Sequence, residues 1–170
     1  MKSRIIYILY CLVMVIYPHE STSQSAQVPY HIQAAFWGKI FKHIPQLDDK
    51  RVKILIVYDT KSETKKTTLM ENIKSLGFEV NAVKPDQLVR EITGYDVVYF
   101  MEELQKYATL CREKHKLSIC GTPEYVETGA ISIALGIEND KPRISINIKL
   151  LQAEGKDVTV ELLKISQVFR

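Results

Sequence analysis

Apolar and polar positions alternate along this chain with two periods. Near the C-terminal end, Ile131, Ile133, Leu135 and Ile137 alternate with Ser132, Ala134 and Gly136. After the turn residues Glu138-Asn139-Asp140-Lys141, Ile144, Ile146, Ile148 and Leu150 alternate with Ser145, Asn147 and Lys149. A period of two marks half-buried strands, so residues 130–148 read as a hairpin. Elsewhere the period is that of helices. Ile32, Ala35, Phe36, Ile40 and Ile44 share one face of a helix over 28–44, with Pro29 in its first turn and Pro45 at its end. VKILIVYD is an unbroken apolar strand, as expected where both faces are covered. Helix 64–75 follows, with Leu69, Ile73 and Leu76 inward and Gly77 as its stop. Strand FEVNAV, a short helix PDQLVREI, strand YDVVYFM, helix 102–115 and strand 117–120 come next. Val158, Leu162, Ile165 and Phe169 mark one face of a closing helix.

Strands alternating with helices over short connections imply a parallel sheet with right-handed crossovers. The hairpin adds an antiparallel edge. The predicted fold class is therefore α/β: a small Rossmann-like layered domain with a mostly parallel sheet.

The front of the chain bears on compartment. Lys2 and Arg4 precede an uncharged run from Ile5 to Tyr17, then Pro18 and the small residues Ser21 to Ala26. This is the order of a secretory signal peptide. The run is well short of the about 20 residues a spanning helix needs. Residues 1–23 are read as the signal, with cleavage after Ser23 or Ser25, and 28–170 as one domain. The expected location is the periplasm.

Charge adds little. Of 170 residues, 23 are basic and 20 acidic, and the basic ones are scattered. Without an aromatic-interleaved basic stripe, nucleic acid is not an expected partner. Cys11 falls in the signal, so Cys111 and Cys120 form the remaining pair. Cys111 shares a helical face with Leu104, Tyr107 and Ala108, and Cys120 ends strand LSIC. A helix antiparallel to its next strand could join them; a disulfide and two buried thiols both remain open.

Catalytic and cofactor patterns fail on inspection. The turn Asp59-Thr60-Lys61-Ser62-Glu63-Thr64 stands where a flavodoxin-type phosphate loop would, but it has no glycine and Glu63 would repel an anion. Helix capping explains Thr60 and Ser62 better. A phosphorylatable aspartate is missing at Tyr99-Phe100-Met101-Glu102. His31 and His43 lie about 18 Å apart along one helix, and no pair has metal-ligand spacing. Glu102 and Glu103 point to different faces. No nucleophile elbow or Cys/His arrangement occurs. The chain reads as a non-enzyme without cofactor or metal.

A resemblance carries more. Ala34-Ala35-Phe36 followed by Phe41-Lys42-His43-Ile44 resembles the A-A-F…F-x-K-x-V opening helix of the YfiR-like periplasmic proteins. Gly129-Ala130-Ile131, Glu138-Asn139-Asp140 and Arg143-Ile144-Ser145-Ile146-Asn147 are similar to that family's G-G-M-I…L-E-D-G…R-F-E-I-N hairpin. Leu151-Gln152-Ala153-Glu154-Gly155 with Leu162-Leu163-Lys164-Ile165 fits its closing helices. The family-motif positions are thus Ala34, Ala35, Phe36, Gly129, Ile131, Asn147, Gly155, Leu162 and Leu163, structural or partner-facing. Two departures stand out. The opening helix stops at Pro45 instead of reaching a Trp-Pro, with Trp37 inside it. Tyr95-Asp96 replaces a cysteine before the third strand, so the family's disulfide pattern does not transfer.

The resemblance implies an exported regulator that binds the outer domain of an inner-membrane signalling protein, a diguanylate cyclase by family and a sensor kinase as the variant. It holds that partner inactive. The same apolar surface would serve a second copy in a homodimer. The alternative is a periplasmic small-ligand-binding or carrier module, with a pocket at the strand ends near Asp59, Lys84 and Met101.

Overall fold

The computed structural model describes residues 28–48, 51–138 and 140–170. The signal peptide, its cleavage positions and Cys11 lie outside the described residues.

Seven strands form one sheet in the order β2-β1-β3-β4-β5-β6-β7. They are β1 (Lys53–Val57), β2 (Glu79–Val83), β3 (Val97–Phe100), β4 (Leu117–Cys120), β5 (Ile133–Glu138), β6 (Lys141–Asn147) and β7 (Ser166–Phe169). The first five run parallel. β5 and β6 pair antiparallel, with Ile133 opposite Ile146 and Glu138 opposite Lys141. β7 runs parallel to β6. The fold class read from the sequence is the one found. β1, β3 and β4 are buried on both faces, which is why they read as unbroken apolar runs.

The helices are α1 (Tyr30–Ile40), α2 (Glu63–Ser75), α3 (Leu88–Glu91), α4 (Thr109–Glu113), α5 (Glu124–Glu127), α6 (Ile148–Ala153) and α7 (Val160–Lys164). α1 packs on α2 and on the sheet face that carries Tyr99. Trp37 meets Tyr99 edge-on, with centroids 6.5 Å apart, and stacks on Phe41 at 6.3 Å. Phe41 in turn meets Phe78 edge-on at 5.7 Å. Tyr99 Oη donates to Gln33 Oε1 at 2.8 Å, and Gln33 Nε2 donates to the Val28 carbonyl at 2.7 Å.

Six expectations are corrected. The buried face of α1 is Gln33, Ala34, Trp37 and Ile40. Ala35 is exposed, and Ile32 and Phe36 are half-buried. Trp37 and the Gln33–Tyr99 bond turn the helix by about one position. Leu76 lies outside, because α2 ends at Ser75 and Gly77, at φ +86°, turns the chain away. Helix 102–115 is shorter than expected. Glu103 takes φ +64°, a 3-10 turn covers Gln105–Ala108, and only Thr109–Glu113 is α-helical. The closing helix stops at Lys164, and Val168 and Phe169 lie in β7. The hairpin is therefore not the sheet's edge. β6 is flanked on both sides, and residues 131–136 and 144–147 are buried on both faces. Strand β6 ends at Asn147, so Ile148 and Leu150 belong to α6.

Candidate functional site

The sheet's strand order reverses between β1 and β3, since the chain leaves β1 for β2 on one side and returns to β3 on the other. In open α/β sheets, that reversal is where ligands enter. Asp59 follows β1 and caps the Thr60–Ser62 turn. Its carboxylate accepts from Ser62 N at 3.0 Å and from Ser62 Oγ at 2.7 Å, while Asp59 N donates to Ser62 Oγ at 3.0 Å. The Ser62 hydroxyl holds the Asp59 carboxyl below its ordinary range.

The crevice is a cavity of about 90 Å³ lined by Asp59, Lys61, Ser62, Lys65, Glu102 and Glu103. Two ion pairs cross it. Lys61 Nζ lies 3.1 Å from Glu103 Oε2, and Lys65 Nζ lies 2.8 Å from Glu102 Oε2. The two loops at the switch point thus satisfy each other's charges. Three carboxylates against two ammonium groups make the crevice a poor anion site. The pocket expected near Asp59, Lys84 and Met101 does open beside Asp59. Met101 is buried and Lys84 is not in the lining.

The motif positions lie outside the crevice, on α1, beside the hairpin and on α7. Gly129 at φ +74° and Gly155 at φ +68° take left-handed turns that favour glycine. Asn147 caps α6 by accepting from Leu150 N at 3.1 Å, and its Nδ2 donates to the Val126 carbonyl of α5 at 3.2 Å. Ile131, Ala34 and Leu162 are fully buried. Ala35 is exposed, and Phe36 and Leu163 are half-buried. Asn147 therefore clasps α5 and α6 together at the end of the hairpin.

Cys111 and Cys120 are separate buried thiols in this structure. Cys120 sits at the far end of β4, where Sγ donates to the Thr122 carbonyl at 3.3 Å. Burial pushes its pKa up to about 12 and raises that of Cys111 as well. Neither is poised as a nucleophile. No group of metal-ligating side chains occurs among the described residues.

One polar site escaped the sequence reading. Glu154, at the end of α6, is fully buried. Its carboxylate accepts from Ser118 N at 3.0 Å and from Ser118 Oγ, and Ser118 Oγ accepts from Ser132 N at 3.0 Å. Burial pushes the Glu154 pKa up to about 7 against these bonds. Lys156 Nζ donates to the His115 carbonyl at 2.7 Å and the Glu154 carbonyl at 3.2 Å. The legible signal was a glutamate immediately before a helix-ending glycine.

The sequence profile of the YfiR/HmsC-like family matches residues 30–167. The chain belongs to the YfiR/HmsC-like family. The match runs from the first turn of α1 into β7, so the Asn147 clasp and the Glu154 seam both lie within the family's domain. No curated protein matches the chain.

Solved structures of low identity share the architecture. The ligand-free, open structure of CD0873 from Clostridium difficile, a substrate binding protein with adhesive properties, superposes with a TM-score of 0.65. It is 15% identical, over 85% of this chain and 61% of that one. A conserved domain protein from Vibrio cholerae gives 0.64 at 11% identity, over 84% and 60%. The ABC domain from Streptococcus pneumonia in complex with L-Trp gives 0.61 at 15%, over 83% and 60%. These likenesses show the fold alone. This family member spans about 60% of each of those chains. No helix among the described residues is long and apolar enough to cross a membrane.

Proposed function

We propose that this YfiR/HmsC-like protein is an exported, non-enzymatic regulator. It binds and represses the periplasmic domain of an inner-membrane signalling protein, a diguanylate cyclase by family resemblance. The observation that carries this reading is family membership over nearly the whole described chain. Two structural features support it. The switch-point crevice is small and crossed by its own ion pairs, which argues against ligand delivery as the main task. At the β7 edge, Ile165 and Val160 are 66% and 60% exposed, and Val168 is 38% exposed. Exposed aliphatics grouped beside an unpaired strand edge suit a protein partner or a second copy of this chain. The signal at 1–23 would carry the 28–170 domain to that partner.

A repressor must bind the inactive state of its partner more tightly than the active one, by a few kcal/mol. Deleting the gene should raise cellular cyclic-di-GMP, and removing the signal peptide should mimic the deletion while leaving the domain folded. Ile165→Asp should weaken partner capture from solubilised envelope and leave thermal unfolding nearly unchanged. The reading fails if the deletion alters no membrane-signalling output, or if Ile165→Asp retains full repression. The alternative is a small-ligand carrier, supported by a fold shared with a substrate binding protein and an L-Trp complex. Tight ligand binding with no effect on signalling would establish it instead.

A further inference from the structure

The side chain of Glu154 fastens one end of a strap. Residues 155–159 join α6 to α7 and pass from one face of the sheet to the other. Ile119 is in register with Tyr99, so its neighbour Ser118 points to the face opposite Tyr99 and α1. Glu154 bonds Ser118 on that face. At the strap's far end, Thr159 bonds His43, just beyond α1 on the other face. Thr159 N donates to the His43 carbonyl at 3.0 Å, and Thr159 Oγ1 lies 2.9 Å from His43 Nδ1. Gln46 adds a reciprocal pair with Asp157, both contacts at 3.0 Å. Beyond the strap, α7 and β7 carry the exposed Val160, Ile165 and Val168.

The Glu154 end depends on one proton. The side chain is fully buried. Ser118 meets it from β4, and the Ser132 hydroxyl ahead of β5 is buried beside it with no hydrogen-bond partner. A neutral carboxyl carries an O–H that needs an acceptor, and a hydroxyl can serve. From α4 it faces Cys111, a thiol kept neutral by burial. Beyond α4, the His115 ring lies over Gly155, 3.5 Å from where a Cβ would stand. Lys156 is the cation that acts on the carboxyl, while its Nζ donates to the His115 and Glu154 carbonyls. That one charge does not offset burial, which holds the carboxyl at about 7. An ionised carboxylate in this pocket is relieved by water, and water reaches it when the end of α6 lifts from β4. Gly155, at φ +68°, and Lys156 lift with it.

We propose that the strap is a proton-controlled latch: Glu154 carrying its proton seats the strap on β4 and fixes α7 and β7, and loss of that proton lets this C-terminal edge shift. The latch is fully closed below pH 4.5 and loosens as pH rises through about 7, because the seated state holds its proton more tightly than the lifted one. The edge it controls is the surface assigned above to a partner. That use rests on the proposed function, whereas the latch itself does not.

The test is a titration of the isotope-labelled protein from pH 5 to 8.5, followed by the Glu154 carboxyl carbon and by backbone amides, without any partner. The carboxyl carbon and the amides of Ser118, Gly155, Leu162 and Val168 should move together with a midpoint near 7. The share of molecules with the strap lifted should rise about tenfold between pH 6 and pH 8, read as contact of the Ser118 amide with a neutral paramagnetic agent in the solvent. Glu154→Gln should hold all four amides at their low-pH positions, while shifts caused by histidines persist in it. A carboxyl that titrates near 4.5 would overturn the proposal. So would Leu162 and Val168 amides that stay still while Ser118 titrates, since the proton would then act only locally. Both outcomes are read on the parent protein itself. A Glu154→Gln protein whose four amides still titrate as in the parent would overturn it as well.

Discussion

Replacing Glu154 by glutamine should make the protein more stable at neutral pH and remove most of a pH dependence that the parent carries. Unfolded, the Glu154 carboxyl titrates near 4.5; folded, burial holds it at about 7. Between those values the folded chain holds a proton that the unfolded chain has released. Stability is therefore fully present below pH 4.5, falls as pH rises, and levels off above 7. The gap of roughly two and a half units corresponds to about 3 kcal/mol, at about 1.4 kcal/mol per unit. Glutamine keeps the acceptor for Ser118 N, and its amide can donate to Ser118 Oγ, which also has lone pairs to spare. It cannot ionise, so the buried charge disappears. Urea unfolding of both proteins from pH 4.5 to 7.5, with the difference taken at each pH, isolates the effect from other titrating groups. The variant should gain on the parent by about 3 kcal/mol across that window. A difference that stays flat, or moves in the parent's favour as pH rises, would refute the reasoning. Glu154→Ala serves as the second arm. It strands the Ser118 N–H inside the fold and should cost about 2 kcal/mol or more at every pH.

Tyr99→Phe leaves Gln33 Oε1 without its donor and should lower unfolding free energy by about 1–3 kcal/mol, read by denaturant midpoint. Gly136→Ala forces a Cβ into the Pro123 ring and should destabilise by about 1–3 kcal/mol, more than the same change at exposed Gly94, where nothing lies within 4 Å. Cys111 and Cys120, buried and with raised pKa values, should resist a thiol reagent in the native protein and react at once in urea; rapid native labelling would contradict the burial.

Much of the fold was legible because β1, β3 and β4 are buried on both faces and advertise it as unbroken apolar runs. The hairpin announced itself by alternation and turn chemistry. What misled was local reading of surfaces that only tertiary packing decides. The α1 face was placed by aliphatic spacing, whereas a glutamine, Gln33, occupies its centre because Tyr99 pairs with it. The last residues fit a helical period and a strand equally well, and β6 settled the choice by offering Val168 and Phe169 an open edge. The candidate sites were less legible. Lys61 and Lys65 meet Glu103 and Glu102 across about 40 residues, and no local pattern encodes that distance. Glu154 had no visible partner in sequence, since Ser118 lies 36 residues away on β4.

The join between β4 and β5 carries a consequence of its own. Only two residue pairs align there, Ile119 with Ile133 and Cys120 with Ala134, whereas β5 and β6 share six. Glu154 and Ser132 occupy the ladder positions that longer strands would have filled. The sheet is consequently narrowest at this seam, with β2-β1-β3-β4 on one side and β5-β6-β7 on the other. Cooperative opening units follow such weak joins. Amide hydrogens of the three-stranded unit should therefore exchange together and earlier than those of β1 and β3. Ionising Glu154 would hasten that exchange without unfolding the larger half.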